Sequence, residues 1–164
     1  MVPTADKREA KRKARVKQSA EIFTPPKLVN EMLDKLPKEV WDGSKTFLDP
    51  AAGNGEFLIF VFLRKIQRGH TPLSALKTIY GVELLNDNVQ ECRVRLLKLA
   101  SYFDKITIKH IEIIWTNIVC ADSLKYDFEF ESQPTLKQCK QILEIIQKQN
   151  IFDRVTVPEE GDIS

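Results

Sequence analysis

Apolar residues recur at helical spacing after Thr24-Pro25-Pro26, at Leu28, Val29, Met32, Leu33 and Leu36. The spacing predicts a helix capped by Thr24, with proline tolerated in its first turn, and Pro37 ends it. Thr46-Phe47-Leu48-Asp49 then reads as a short buried strand. Residues 55–68 read as an apolar helix closed by Arg64, Lys65 and Arg68, cations suited to the negative end of a helix dipole. Its stretch 57–63 (FLIFVFL) is apolar nearly all round, which predicts burial under a sheet or against a partner. Residues 78–83 form a second strand candidate, and 86–101 a helix with Val89, Cys92, Leu96 and Leu99 on one side. The run 105–115 carries Ile106, Ile108, Ile111 and Ile113 and fits either a strand or a helix. Residues 117–122 predict a third strand. Residues 135–149 predict a helix bearing Leu136, Cys139, Ile142, Leu143 and Ile146, and 151–157 (IFDRVTV) a last strand. Strands alternating with helices predict an α/β domain with a mainly parallel sheet. The expected organisation is a basic arm (1–20), one domain (21–157) and a flexible tail (158–164).

Composition bounds the reading. The chain has 164 residues, 43% apolar and 29% charged, enough for one domain with a sizeable core. Net charge is only +2, but its distribution is uneven. Between Lys7 and Lys17 seven basic residues, Lys11, Arg12, Lys13 and Arg15 among them, stand against the single Glu9. Such an arm could contact nucleic acid phosphates, or could simply be a solvated helix. From Tyr126 to Ser164 eight acidic residues outnumber four basic ones. The three cysteines are widely spaced, and His70 and His110 are isolated, so neither zinc nor a disulfide framework is expected. The cysteine usage fits a reducing compartment, and the longest apolar run is too short to span a bilayer. A cytoplasmic protein with no membrane partner is the expectation.

The stretch FLDPAAGNGEF (47–57) carries the chemistry. Glycines at 53 and 55 let backbone approach a ligand closely. The dinucleotide fingerprint fails, because Leu58 stands where a third glycine belongs. A phosphate loop fails too, since no Gly-Lys-Ser/Thr follows. Asp49 beside the loop would repel a pyrophosphate and attract a cation. S-adenosylmethionine is such a ligand. An acid at the first strand end can accept its ammonium hydrogens, one at the second its ribose hydroxyls, one at the third its adenine amino group. Asp49, Glu83 and Asp122 fall at these places in that order.

At these residues the sequence resembles the adenine-specific N6 DNA methyltransferases with N-terminal cofactor motifs. EIFTPPKLVNEML (21–33) is similar to the family's first cofactor segment, and LDPAAGNGEFL (48–58) to its glycine loop. YGVELLNDNV (80–89) is similar to its ribose-binding strand, and NIVCADSLKYDF (117–128) to its adenine-binding strand. The resemblance implies a Rossmann-like S-adenosylmethionine-dependent methyltransferase fold, with a short or truncated parallel sheet flanked by helices. By position it implies Phe23 and Thr24 at the methionine end. Asp49, Pro50, Ala51, Gly53 and Gly55 would form the loop around the amino acid part, with Glu83 at the ribose, Asp122 at the adenine amino group and Ser123 or Leu124 beside the ring. Phe57 could cap the cofactor or belong to the core.

The family's catalytic Asn/Asp/Ser-Pro-Pro-aromatic motif, which holds a flipped base, is not found. The only Pro-Pro is Thr24-Pro25-Pro26-Lys27, and Phe152-Asp153-Arg154-Val155-Thr156-Val157-Pro158 runs into Glu159 and Glu160. Catalytic residues therefore stay unassigned. One reading is a short or split, phage-like or plasmid-like methyltransferase of adenine in DNA, completed by a partner subunit. Another is a catalytically silent cofactor-binding module that regulates or stabilises a partner, and a third a structural or interaction protein that only keeps the fold; the partner could be another protein or a second copy of the chain, as a homo-oligomer. A methyltransferase of small molecules or proteins is a further possibility, since fold does not fix substrate.

Overall fold

The computed structural model describes residues 23–149 and, ahead of them, Lys7, Glu9, Ala10, Lys13 and Ala14. The expected last strand 151–157, the tail 158–164, and Lys11, Arg12 and Arg15 lie outside the described residues.

Helix α1 spans Pro26–Asp34. Its N-cap is Pro25 and no side chain caps it, so Thr24 does not play the capping part expected of it. The cause is local: a proline at 26 pushes the residue before it out of helical geometry, and Pro25 is extended at φ −61, ψ 145. The helix thus starts too late for Thr24. Val29 and Leu33 face inward, whereas Leu28, Met32 and Leu36 are exposed. A 3-10 turn at Lys38–Trp41, absent from the sequence reading, buries Trp41 and stacks it on Phe47 with ring centroids 4.9 Å apart.

The remaining elements alternate as expected. They are β1 (Phe47–Asp49), α2 (Glu56–Gln67), a short α3 (Pro72–Leu76), β2 (Ile79–Glu83), α4 (Asn86–Ser101), α5 (Ile108–Asn117), β3 (Ile118–Cys120) and α6 (Leu136–Gln149). The ambiguous run 105–115 resolves as α5. Thr107 caps it in a reciprocal box with His110, which gives that buried histidine a structural place. Asn117 ends this helix, so the third strand is shorter than 117–122.

The three strands form one parallel sheet in the order β1-β2-β3. Asp49 lies opposite Gly81, and Glu83 opposite Cys120. Among the described residues β1 is an edge strand, and Leu48 is 49% exposed rather than buried. The Phe47 N–H donates to the Thr78 carbonyl at 2.8 Å, so the peptide groups of Leu48 turn the other way.

The core is built around α2, which packs on β1, β2, α1, α3 and α4. Leu58, Ile59, Phe60, Val61, Phe62 and Leu63 are all buried in succession, as the all-round apolar pattern predicts. Each such side chain stabilises the fold by roughly 1.5–3 kcal/mol before entropy is counted. From α4 come Val89, Cys92, Leu96 and Leu99, from α6 Cys139 and Ile146. Among the described residues no helix is long and apolar enough to cross a membrane.

Candidate cofactor site

The carboxyl ends of β1 and β2 carry the two acids that the sequence places there. Asp49 Oδ1 accepts the Ala51 N–H at 3.0 Å, an Asx-type turn that starts the loop. The Ala52 N–H then donates to the Val82 carbonyl at 2.9 Å, tying the loop back to β2. Gly53 and Gly55 both take positive φ, +54 and +90. A Cβ at residue 55 would lie 2.6 Å from Cys92 Sγ, so α4 leaves no room for one. At residue 53 the neighbour is Phe23, whose ring would stand 3.2 Å from an added Cβ.

Glu83 reaches across to this loop. Its Oε2 accepts the Gly53 N–H at 2.8 Å, and its Oε1 accepts the Leu85 N–H at 2.9 Å. Both carboxylate oxygens are held by backbone, and each keeps acceptor capacity for another donor. The next segment runs alongside, because the Ala121 N–H donates to the Glu83 carbonyl at 3.0 Å. Asp122 follows there. Its Oδ1 accepts the Leu124 N–H at 3.0 Å, and its Oδ2 lies 3.8 Å from Lys125 Nζ.

The fold therefore gathers Phe23, Asp49 and Glu83 around the loop that carries Ala51, Gly53 and Gly55. Asp122 and Ser123 lie just past the end of β3, half-buried. Thr24 makes no capping bond to α1. Phe57 is partly buried, packs on the core, and lines a cleft of about 330 Å³ with Met32, Phe47, Leu48, Asp49 and Pro50. Lys13 pairs with Glu9 at 3.8 Å, both exposed.

The electrostatics favour a cation. Among the described residues neither Asp49 nor Glu83 has an ion-pair partner. Burial pushes the Asp49 carboxyl above the ordinary aspartate value, the nearby Glu83 charge adds to that, and the Ala51 N–H opposes it. A raised native value means the folded protein holds this proton more tightly than the unfolded chain. Its stability contribution therefore falls as pH rises from the ordinary aspartate value through the raised one. Asp49→Asn should accordingly raise the thermal midpoint near neutral pH and leave it unchanged in acid, where both forms are neutral. If the variant matches wild type at neutral pH in a melting series, the carboxylate is not under that strain.

Sequence reasoning missed the residues that brace the loop from α4. Arg95 Nη1 donates to the Asn54 carbonyl at 3.0 Å, and its Nη2 to Glu56 Oε2 at 2.9 Å. Glu91 lies within 3.5 Å of Asn54 Nδ2. Their helical spacing with Cys92 was visible, but nothing local said which way that face points. Among the described residues no group of three or more His, Cys, Asp or Glu could hold a metal ion. Cys92 is wholly buried and its thiol pushed up to about 12 by burial first, whereas Cys120 is exposed beside the Leu84 carbonyl.

A small parallel sheet flanked by helices, with acids and a glycine loop at its carboxyl edge, is the architecture of an α/β protein that binds a ligand at its strand ends. Residues 9–143 match the family described as N-6 DNA Methylase, and the chain belongs to that family. No curated protein and no solved structure matches it.

Proposed function

We propose that this chain binds S-adenosylmethionine at the loop 49–55 on a Rossmann-like fold and serves methyl transfer to adenine N6 in DNA, with a partner subunit completing the catalytic site. The single observation behind the cofactor is the pair Asp49 and Glu83 at a glycine loop, two carboxylates that have no ion-pair partner among the described residues. Asp49 suits an ammonium. Glu83, fixed at both oxygens by backbone N–H groups, suits a vicinal diol such as ribose. The first turn of α2 adds backbone donors, since Gly55 caps it without a side-chain bond, and a ligand carboxylate is the natural acceptor. Asp122 and Ser123 are assigned to the adenine, and Phe23 and Thr24 to the methionine end. When bound, the cofactor supplies the methyl group, and the chain's own residues bind and orient it.

DNA as the substrate rests on the family, with a lesser contribution from the basic arm. A second reading, a silent cofactor-binding module acting on a partner, is favoured by the missing Pro-Pro-aromatic motif. Labelled S-adenosylmethionine and DNA, given to the chain alone and with the products of neighbouring genes, separate the two. Label in DNA supports the enzyme reading. Calorimetric cofactor binding with no transfer in any combination supports the silent module, and no binding at all overturns both.

A further inference from the structure

The glycine loop is held from two sides, and only one of them bears an acid assigned to the ligand. On the β2 side Glu83 takes the Gly53 N–H. On the α4 side one guanidinium, Arg95, takes the next residue's carbonyl, Asn54, at 3.0 Å and the Glu56 carboxylate at 2.9 Å. Arg95 and Glu56 are only 13% and 18% exposed, so this ion pair is shielded and its geometry fixed. The fork spans the loop and the first residue of α2, tying the loop to the start of the helix. We propose that Arg95 is a positioning residue for the cofactor: it sets the loop's backbone before binding without touching the ligand.

The chemistry favours arginine over a point charge. Two acceptors in different places, a carbonyl and a carboxylate, are met at once by a planar fork, whereas an ammonium on a shorter reach can satisfy one well. Without the fork, the Asn54 carbonyl loses its partner and the left-handed turn at Gly53 and Gly55 loses its brace on α4. The cost then falls on binding, because the ligand must order a loop that Arg95 orders in the native protein.

The inference rests on the cofactor reading above, and the test separates the two. Arg95→Met and Arg95→Lys are compared with Arg93→Met in the full chain. Arg93 serves as control because it holds the Trp115 and Ile118 carbonyls instead of the loop. Two readouts are taken: S-adenosylmethionine affinity by calorimetry, and amide hydrogen exchange over residues 51–57. Arg95→Met should weaken affinity about tenfold or more, the worth of a lost charge-assisted hydrogen bond. It should also speed exchange in the loop. Arg95→Lys should recover part of both, and Arg93→Met should lower the thermal midpoint while leaving both unchanged. Wild-type affinity and unchanged loop exchange in Arg95→Met overturn the proposal, as does an equal loss in Arg93→Met. If wild type itself binds no cofactor, the function reading fails, and loop exchange still decides whether Arg95 positions the loop.

Discussion

Replacing Glu83 by alanine is expected to cost this chain about a hundredfold or more in affinity for S-adenosylmethionine, the worth of two charge-assisted hydrogen bonds. The carboxylate is prepared for that work. Its two oxygens are each pinned by a backbone N–H, from Gly53 and Leu85, at 2.8 and 2.9 Å. What remains is a rigid pair of acceptors with a negative charge behind them. A vicinal diol meets both without reordering anything, so little binding energy is lost to conformational entropy. Alanine removes the acceptors and frees the Gly53 N–H at the same stroke. Glutamine is an informative second variant. Its amide has one oxygen and one NH₂, so one of the two backbone N–H groups must face a donor. It should therefore bind worse than isosteric size suggests. Cofactor analogues lacking the 2′ or 3′ hydroxyl should lose most of their disadvantage against the alanine variant. Wild-type affinity in a Glu83→Ala protein that melts normally would remove Glu83 from the site.

The second large effect concerns stability. Gly55→Ala is expected to destabilise the fold by about 2–5 kcal/mol. A left-handed backbone at φ +90 costs an L-residue about 1–2 kcal/mol. Overpacking a filled core costs about 1–3 kcal/mol more. The clash is with Cys92, whose side chain is fully buried and whose Sγ would be 2.6 Å from the new methyl. The double variant Gly55→Ala/Cys92→Ala removes the sulfur while keeping the backbone strain. In a denaturant series it should recover the packing share alone, leaving the conformational share. If Gly55→Ala unfolds at the wild-type denaturant midpoint, α4 does not press on the loop as described.

These two residues also mark how far the sequence could be read. Glu83's place at the end of β2 was legible because it closes a β-rich run, and strand ends are where α/β sheets bind ligands. The loop glycines were legible because their spacing excluded the dinucleotide and phosphate alternatives. The pattern 57–63 foretold the unbroken burial of Leu58 to Leu63 in α2, since nothing polar interrupts it. What stayed hidden depends on tertiary neighbours. That Gly55 rests on Cys92, or that Arg95 reaches the Asn54 carbonyl, follows from how α4 is rotated against the loop, and an isolated helix has many rotations. Leu48 read as buried because its neighbours in the chain are apolar; its exposure comes from standing on a strand with one described neighbour. The helix–strand ambiguity at 105–115 was settled by the Thr107–His110 box, in which a histidine takes the place usually held by glutamate or glutamine. Thr24 failed as a cap for a reason written in the sequence, the proline pair behind it.

The unequal burial of the three thiols makes the protein easy to instrument. Cys92 and Cys139 are buried, and burial leads the upward shift of both, so an alkylating dye near neutral pH finds Cys120. That sulfur lies opposite Glu83 in the β2–β3 register. A small environment-sensitive label there needs no engineered cysteine and reports, from the exposed end of β3 beside Leu84, the arrival of whatever ligand comes to rest next to it.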